Sequence, residues 1–156
     1  MVRPSLSAKV LTALAGRRLA TAESLTGGGI GAAITSVSGA SAVFAGGIIS
    51  YTNEVKHRVL GVPLEILDTC GAVSAPVAKA MAQGAVCVTG ADAAVSVTGL
   101  AGPGGDEYGN PVGTVFIGYS DCNLTEVKHF LFSGDRESIR KQTAEEALKI
   151  GLNHGK

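Results

Sequence analysis

Ala20-Thr21-Ala22-Glu23-Ser24-Leu25-Thr26-Gly27-Gly28-Gly29-Ile30-Gly31 decides how this chain is read. A short apolar run, Leu19 to Ala22, has the character of a buried strand. Glycines then permit a sharp turn, and Ile30, Ala33, Ile34 and Val37 recur at helical spacing over residues 30–37. A strand that turns directly into a helix is the repeating unit of α/β folds. The first N–H groups of such a helix have no partner within it, so the turn is a natural place for an anion or a reactive hydroxyl. Ser24 sits at that turn, either as a cap of the helix or as a nucleophile.

Outward from this turn, the patterning is consistent. Leu6, Val10, Leu11 and Leu14 make one stripe of a helix over residues 5–18, with Ser5 or Ser7 as its cap. Ser38-Gly39-Ala40-Ser41 ends the helix that follows the turn. Val43 to Tyr51 is a continuous apolar run, as in a strand covered on both faces. Asn53 is placed to cap a helix from Glu54 to Leu60, and residues 63–69 add a further turn or two. Ser74-Ala75-Pro76 opens a helix that ends near Gly90, with Pro in its first turn. Residues 93–98 read as a buried strand, and residues 99–111 as a Gly/Pro-rich loop long enough to suggest function. Residues 113–120 and 124–132 form a hairpin about Asp121-Cys122-Asn123. Asp135 caps a last helix from Arg136 to about Leu152, with Ile139, Thr143, Ala147 and Ile150 buried. The order predicts a single α/β domain over residues 1–156. Its sheet is mixed but mainly parallel, with helices on both faces and a C-terminal β-hairpin plus helix.

Composition narrows the classes of function. Thirteen basic residues balance 13 acidic ones, and aromatics make up 4%. There is neither the charge to neutralise many phosphates nor the stacking surface of a single-strand binder, which argues against a nucleic-acid partner. Twenty-two glycines, about twice the usual share, suit close packing of helix on sheet and close approach of backbone to a ligand. Cys70, Cys87 and Cys122 have no metal-site spacing and read as buried, reduced thiols, so no metal and no cofactor is expected. No run approaches a membrane span, and Lys9, Arg17 and Arg18 interrupt the N-terminus, so a cytoplasmic protein without membrane contact is expected.

Four segments compete for one site: the Ser24 turn, Tyr51 to Lys56, the glycine loop after Thr98, and the start of the last helix. A serine needs a base. His129 lies mid-strand and His154 near the C-terminus, so neither makes a compelling partner. With Asn53 as cap, Lys56 is the third residue of its helix. The dipole, the neighbouring His57 and Arg58, and partial burial would all favour its neutral form. The alternative is an ordinary solvated lysine. The Tyr51 phenol would hold Ser24 or Lys56. The loop Thr98-Gly99-Leu100-Ala101-Gly102-Pro103-Gly104-Gly105 either offers bare N–H groups to an anion or is a tight turn. Arg136 and Arg140, one turn apart at a helix start, are either a monophosphate site or surface arginines paired with Glu137 or Glu145. No Walker A or dinucleotide fingerprint is complete.

Six segments in order resemble the successive signatures of one family: Thr21–Gly28, Ser50–Lys56, Gly71–Ser74, Val97–Gly105, Pro111–Val115 and Gly134–Arg136. It is the CinA C-terminal domain family, whose active members are nicotinamide-nucleotide amidases. The resemblance runs from about residue 5 to residue 150. It implies metal-free hydrolysis of nicotinamide mononucleotide to nicotinate mononucleotide and ammonia by a serine–lysine mechanism. Ser24 would be the nucleophile, Lys56 the base and Tyr51 its assistant. Glu23, Thr26, Gly27, Gly28, Asn53, Thr98, Gly99, Gly102 and Gly104 would surround the substrate, and Arg136 and Arg140 would meet its phosphate. N–H groups near Thr26-Gly27 or Gly99 would hold the oxyanion. Leu25 stands where many relatives have a small or sulfur-bearing residue, which changes pocket shape. The N-terminal molybdopterin-binding-type domain of many relatives, with its pyrophosphate cleavage, is not expected here. The alternatives are a non-catalytic nucleotide-binding or oligomerisation module of the same fold, or an amidase for another small amide. A homodimer is compatible with the Gly-rich surface.

Overall fold

The computed structural model describes residues 2–155. Five strands form one sheet in the order β2-β1-β3-β4-β5. These are β1 (Leu19–Glu23), β2 (Phe44–Ile49), β3 (Ala93–Gly99), β4 (Thr114–Asp121) and β5 (Thr125–Leu131). β1 pairs in parallel with both β2 and β3, whereas β3–β4 and β4–β5 are antiparallel. The sheet is therefore mixed, as the element order predicts. β1 is an interior strand buried at every residue, so its end, and the turn beyond it, lies between two parallel neighbours.

Alternation along the strands divides the helices between the two faces. Leu19, Val95, Val97, Val115, Ile117 and Tyr119 form a thick apolar layer. It packs under α1 (Leu6–Ala13), α2 (Gly29–Thr35) and α6 (Arg136–His154). The opposite face carries Ala20, Ala22 and Ala94 beneath α5 (Ala75–Thr89). These small residues let α5 approach closely. Ser96 Oγ donates to the Ala78 carbonyl at 2.6 Å, and a Cβ on Gly118 would lie 2.7 Å from that same oxygen. The high Ala and Gly content thus becomes a helix seated almost on the sheet backbone.

Element ends differ from the sequence reading in three instructive places. α1 stops at Ala13, with Ser5 accepting from the Ala8 N–H, because Gly16 turns the chain at φ +87°. Three helices, not two, bridge β2 and β3: α3 (Asn53–Arg58), α4 (Leu64–Cys70) and α5. Thr52, not Asn53, caps α3, its hydroxyl accepting from the Val55 N–H at 3.2 Å. Adjacent Thr and Asn are both good cap formers, and the extended backbone at Thr52 selects it. Asp135 caps α6 as expected, accepting from the Ser138 N–H. The cysteine reading is corrected: Cys87 and Cys122 are exposed and Cys70 is partly so. They fall on a helix surface, a turn and a helix end, where no core closes over them. No described helix is long and apolar enough to cross a membrane.

Gly84 tests the close packing of α5. A Cβ there would lie 1.9 Å from the Leu60 carbonyl oxygen. Gly84→Ala is expected to destabilise the fold by ~2 kcal/mol or more despite alanine's better helix propensity, measured by urea denaturation.

Candidate active site

The site forms where β1 ends. The Ser24 N–H continues the ladder by donating to the Val97 carbonyl at 3.2 Å. The chain then turns through Gly27 (φ +58°) and Gly28 (φ +98°) into α2. Gly28 occupies the cap position and has no side chain to offer. The Glu23 carboxylate takes over this task. Oε1 accepts from the Thr26 hydroxyl at 2.6 Å and the Ile30 N–H at 2.9 Å. Oε2 accepts from the Gly31 N–H at 3.0 Å and the Thr21 hydroxyl at 3.1 Å. A buried carboxylate is thereby stabilised by a helix N-terminus and two hydroxyls. From the other side Arg140 of α6 donates to the carbonyls of Leu25 (2.8 Å) and Thr26 (3.2 Å). The turn that carries Ser24 is clamped from both ends.

Lys56 reaches this turn from α3. Its side chain is 1% exposed and Ser24 is 8% exposed. Nζ lies 3.0 Å from Ser24 Oγ, 2.7 Å from the Ser50 carbonyl and 3.3 Å from the Tyr51 carbonyl. No carboxylate pairs with it among the described residues. Burial alone pushes its pKa down to about 8. Of the three causes expected from sequence, burial is the one at work, and the helix dipole and the neighbouring His57 and Arg58 are not. With Thr52 as cap, Lys56 is the fourth residue of a six-residue helix, one position further from its N-terminus than expected.

Ser24, Lys56, Tyr51, Thr98, Gly99, Gly102, Gly104 and Arg136 line one open cleft of about 260 Å³. All four expected segments meet there. The size suits a small molecule, just below the roughly 300 Å³ where drug-sized pockets begin. Thr98 Oγ1 is turned to the Ala72 carbonyl at 2.8 Å. Arg136 donates to the Gly102 carbonyl at 2.7 Å and to the Tyr51 phenol at 3.4 Å. The Tyr51 phenol therefore meets Arg136 rather than Ser24 or Lys56, and it is the Tyr51 main chain that touches the lysine.

Six expected site residues do not line the cleft: Glu23, Thr26, Gly27, Gly28, Asn53 and Arg140. Glu23, Thr26 and Arg140 are engaged within the turn itself, the two glycines give its shape, and Asn53 is simply the first residue of α3. The Gly27 N–H is taken by the Ser24 carbonyl. The N–H groups of Leu25 and Thr26 have no acceptor among the described residues, and Leu25 borders the cleft. Residues with no assigned role in sequence, Ala72, Val73, Leu100 and Ala101, complete the walls. Apolar residues of this kind leave no chemical signal. Their hints were their place in two of the segments that carry the family resemblance, 72–73 just before a helix and 100–101 in the glycine loop. The histidines are engaged elsewhere: His57 with the Val62 carbonyl, His129 against Phe116, and His154 with Glu126 and Tyr119. Among the described residues no group of three or more His, Cys, Asp or Glu side chains could hold a metal ion.

A serine hydroxyl at hydrogen-bond distance from a buried, weakened lysine ammonium, in a cleft at the carboxyl end of parallel strands, defines an arrangement able to activate a hydroxyl. Residues 4–153 match the CinA C-terminal domain family, and the chain belongs to that family. The CinA-like protein of Geobacter sulfurreducens is 51% identical over 133 residues, covering 85% of this chain. The chain spans about a third of that relative's length (32%). A CinA superfamily protein of Klebsiella pneumoniae superposes with a TM-score of 0.93 at 34% identity, over 96% of this chain and 95% of that one. The competence/damage-inducible protein of Agrobacterium tumefaciens gives 0.90 at 39% identity, over 98% and 99%.

The clamp on the turn is testable apart from any activity. Glu23→Gln replaces one acceptor oxygen by an amide that faces N–H and O–H donors. It is expected to cost ~2 kcal/mol in urea denaturation, with faster amide exchange at Ile30 and Gly31.

Proposed function

We propose that this chain is a metal-independent serine–lysine amidohydrolase that converts the carboxamide of nicotinamide mononucleotide to the carboxylate and ammonia. The observation that carries this reading is the 3.0 Å contact between Lys56 Nζ and Ser24 Oγ in a site that excludes water from the amine. The substrate is the one implied by the family resemblance, and the small cleft and the arginine at its rim support it.

In its neutral form Lys56 has two hydrogens and one lone pair. The carbonyls of Ser50 and Tyr51 take the hydrogens, which turns the lone pair toward the Ser24 hydroxyl. Lys56 accepts the hydroxyl proton as Ser24 Oγ bonds to the carboxamide carbon. The N–H of Leu25, the residue after the nucleophile, is the free donor at the cleft for the oxyanion. The ammonium of Lys56 then passes its proton to the departing nitrogen. The C–N bond breaks, and ammonia and an ester on Ser24 remain. Water attacks this ester, giving a proton to Lys56, which returns it to Ser24 Oγ as the ester C–O bond breaks, so that the acid product leaves and both the hydroxyl and the neutral amine are restored. Arg136 uses one nitrogen on Gly102 and another on the phenol of Tyr51. In this reading it is the cation nearest the substrate phosphate, and Arg140 acts on the turn instead.

Ammonia release from nicotinamide mononucleotide tests the proposal. Ser24→Ala is expected to lower kcat about a thousandfold or more, and Lys56→Ala about a hundredfold or more, with both variants folded by circular dichroism. Full turnover by folded Ser24→Ala rejects the mechanism. Because the neutral amine is the active form, kcat/KM should rise with pH below about 8 and level off above it.

A further inference from the structure

The loop between β3 and β4 is tied down at a place the reaction does not use. Its glycine-rich half, through Leu100, Ala101, Gly102 and Gly104, forms one wall of the cleft, and Ala72 and Val73 belong to the segment facing it. Its other half holds Asp106, Tyr108 and Asn110. The Tyr108 hydroxyl donates to the Asp68 carbonyl at 3.0 Å. That carbonyl belongs to the last turn of α4, where oxygens lack helical partners. The Tyr108 ring lies over Gly71, so closely that a Cβ there would be 2.6 Å from two ring carbons. Asn110 Nδ2 donates to the Val73 carbonyl at 3.3 Å and to Asp106 Oδ2 at 2.7 Å. Asp106 Oδ1 in turn accepts from the N–H groups of Tyr108 (3.1 Å) and Asn110 (2.9 Å). The loop is thus fastened to the segment that forms the opposite wall.

We propose that Tyr108, seated on Gly71, is a positioning residue that latches the glycine loop to the Ala72–Val73 wall and so sets how tightly the cleft holds its substrate. The inference rests on the function proposed above in taking this cleft as the substrate site. The geometry separates the latch from the chemistry. Tyr108 touches neither Ser24 nor Lys56, and it is 44% exposed, so its loss leaves the core intact. What changes is the fraction of molecules with the wall in place. A ligand that needs the latched state loses apparent affinity in proportion to that fraction, while the bound, latched complex reacts as before. Gly71 contributes by having no side chain at φ +77°, which leaves room for the ring.

Two substitutions approach the same contact from opposite sides. Tyr108→Ala removes the ring, and Gly71→Ala expels it. Each is expected to raise KM for nicotinamide mononucleotide about 3- to 10-fold with kcat within about twofold, and to speed amide exchange over residues 100–112. Tyr108→Phe keeps the ring and should fall between wild type and Tyr108→Ala. The double variant should be no worse than the more severe single one, since both remove one contact. Wild-type KM and wild-type exchange in Tyr108→Ala would overturn the latch, as would multiplying effects in the double variant or a fall in kcat at unchanged KM. Exchange is read without turnover. If the wild-type protein releases no ammonia, the proposed function fails, and the exchange rates still decide whether Tyr108 holds the loop.

Discussion

An amine buried with no anion beside it among the described residues constrains everything around the cleft. Lys56 is held by two main-chain carbonyls and one hydroxyl, all neutral acceptors. Neutral acceptors do not compensate a buried charge as a carboxylate would, so the ammonium is weakened and its pKa falls to about 8. The two carbonyls come from Ser50 and Tyr51, which leave β2, and the hydroxyl comes from Ser24, which leaves β1. The parallel pairing of β1 with β2 is what brings these groups to one point, the Ser50 N–H donating to the Glu23 carbonyl at 2.8 Å.

The serine must also be held still, and the fold does this with charges kept out of the cleft. Glu23 looks inward and binds the start of α2, while Arg140 looks across from α6 and binds the carbonyls of the turn. Each is a charged residue next to Ser24 in sequence or space, and each serves the geometry of the turn. Their placement follows from alternation. Thr21 and Glu23 point to the α2 side of β1, and Ala20 and Ala22 to the α5 side. A carboxylate on the α5 side would meet a helix packed almost onto the sheet backbone, with no free N–H groups to receive it.

The strand–turn–helix at Ser24, the parallel first half of the sheet, the C-terminal hairpin and the cap at Asp135 were all legible in sequence. Each leaves a local mark: an apolar run, a glycine cluster, a period of 3.6 or 2, a side chain suited to capping. The four segments that meet at the cleft were legible for the same reason, since loops after parallel strands share one edge. The roles of individual residues were not. Asn53 and Thr52 are equivalent as cap formers until backbone dihedrals choose between them. Arg136 and Arg140 share one face of a helix start, yet one reaches the cleft and the other the Ser24 turn. Ala72 and Val73 have no chemistry to read.

By itself, then, the sequence determined the α/β class, the order of the strands, the family, and the pairing of Ser24 with Lys56 as the residues to watch. These rest on local periodicity and on motifs in register, which are properties of the chain. Only the tertiary structure decided that Lys56 is buried away from water, that Glu23 and Arg140 brace the turn, and that Tyr108 fastens the glycine loop. Burial, the direction of a guanidinium and the fit of a ring over a glycine depend on groups 32 to 115 positions apart in the chain, or on a turn no local pattern encodes.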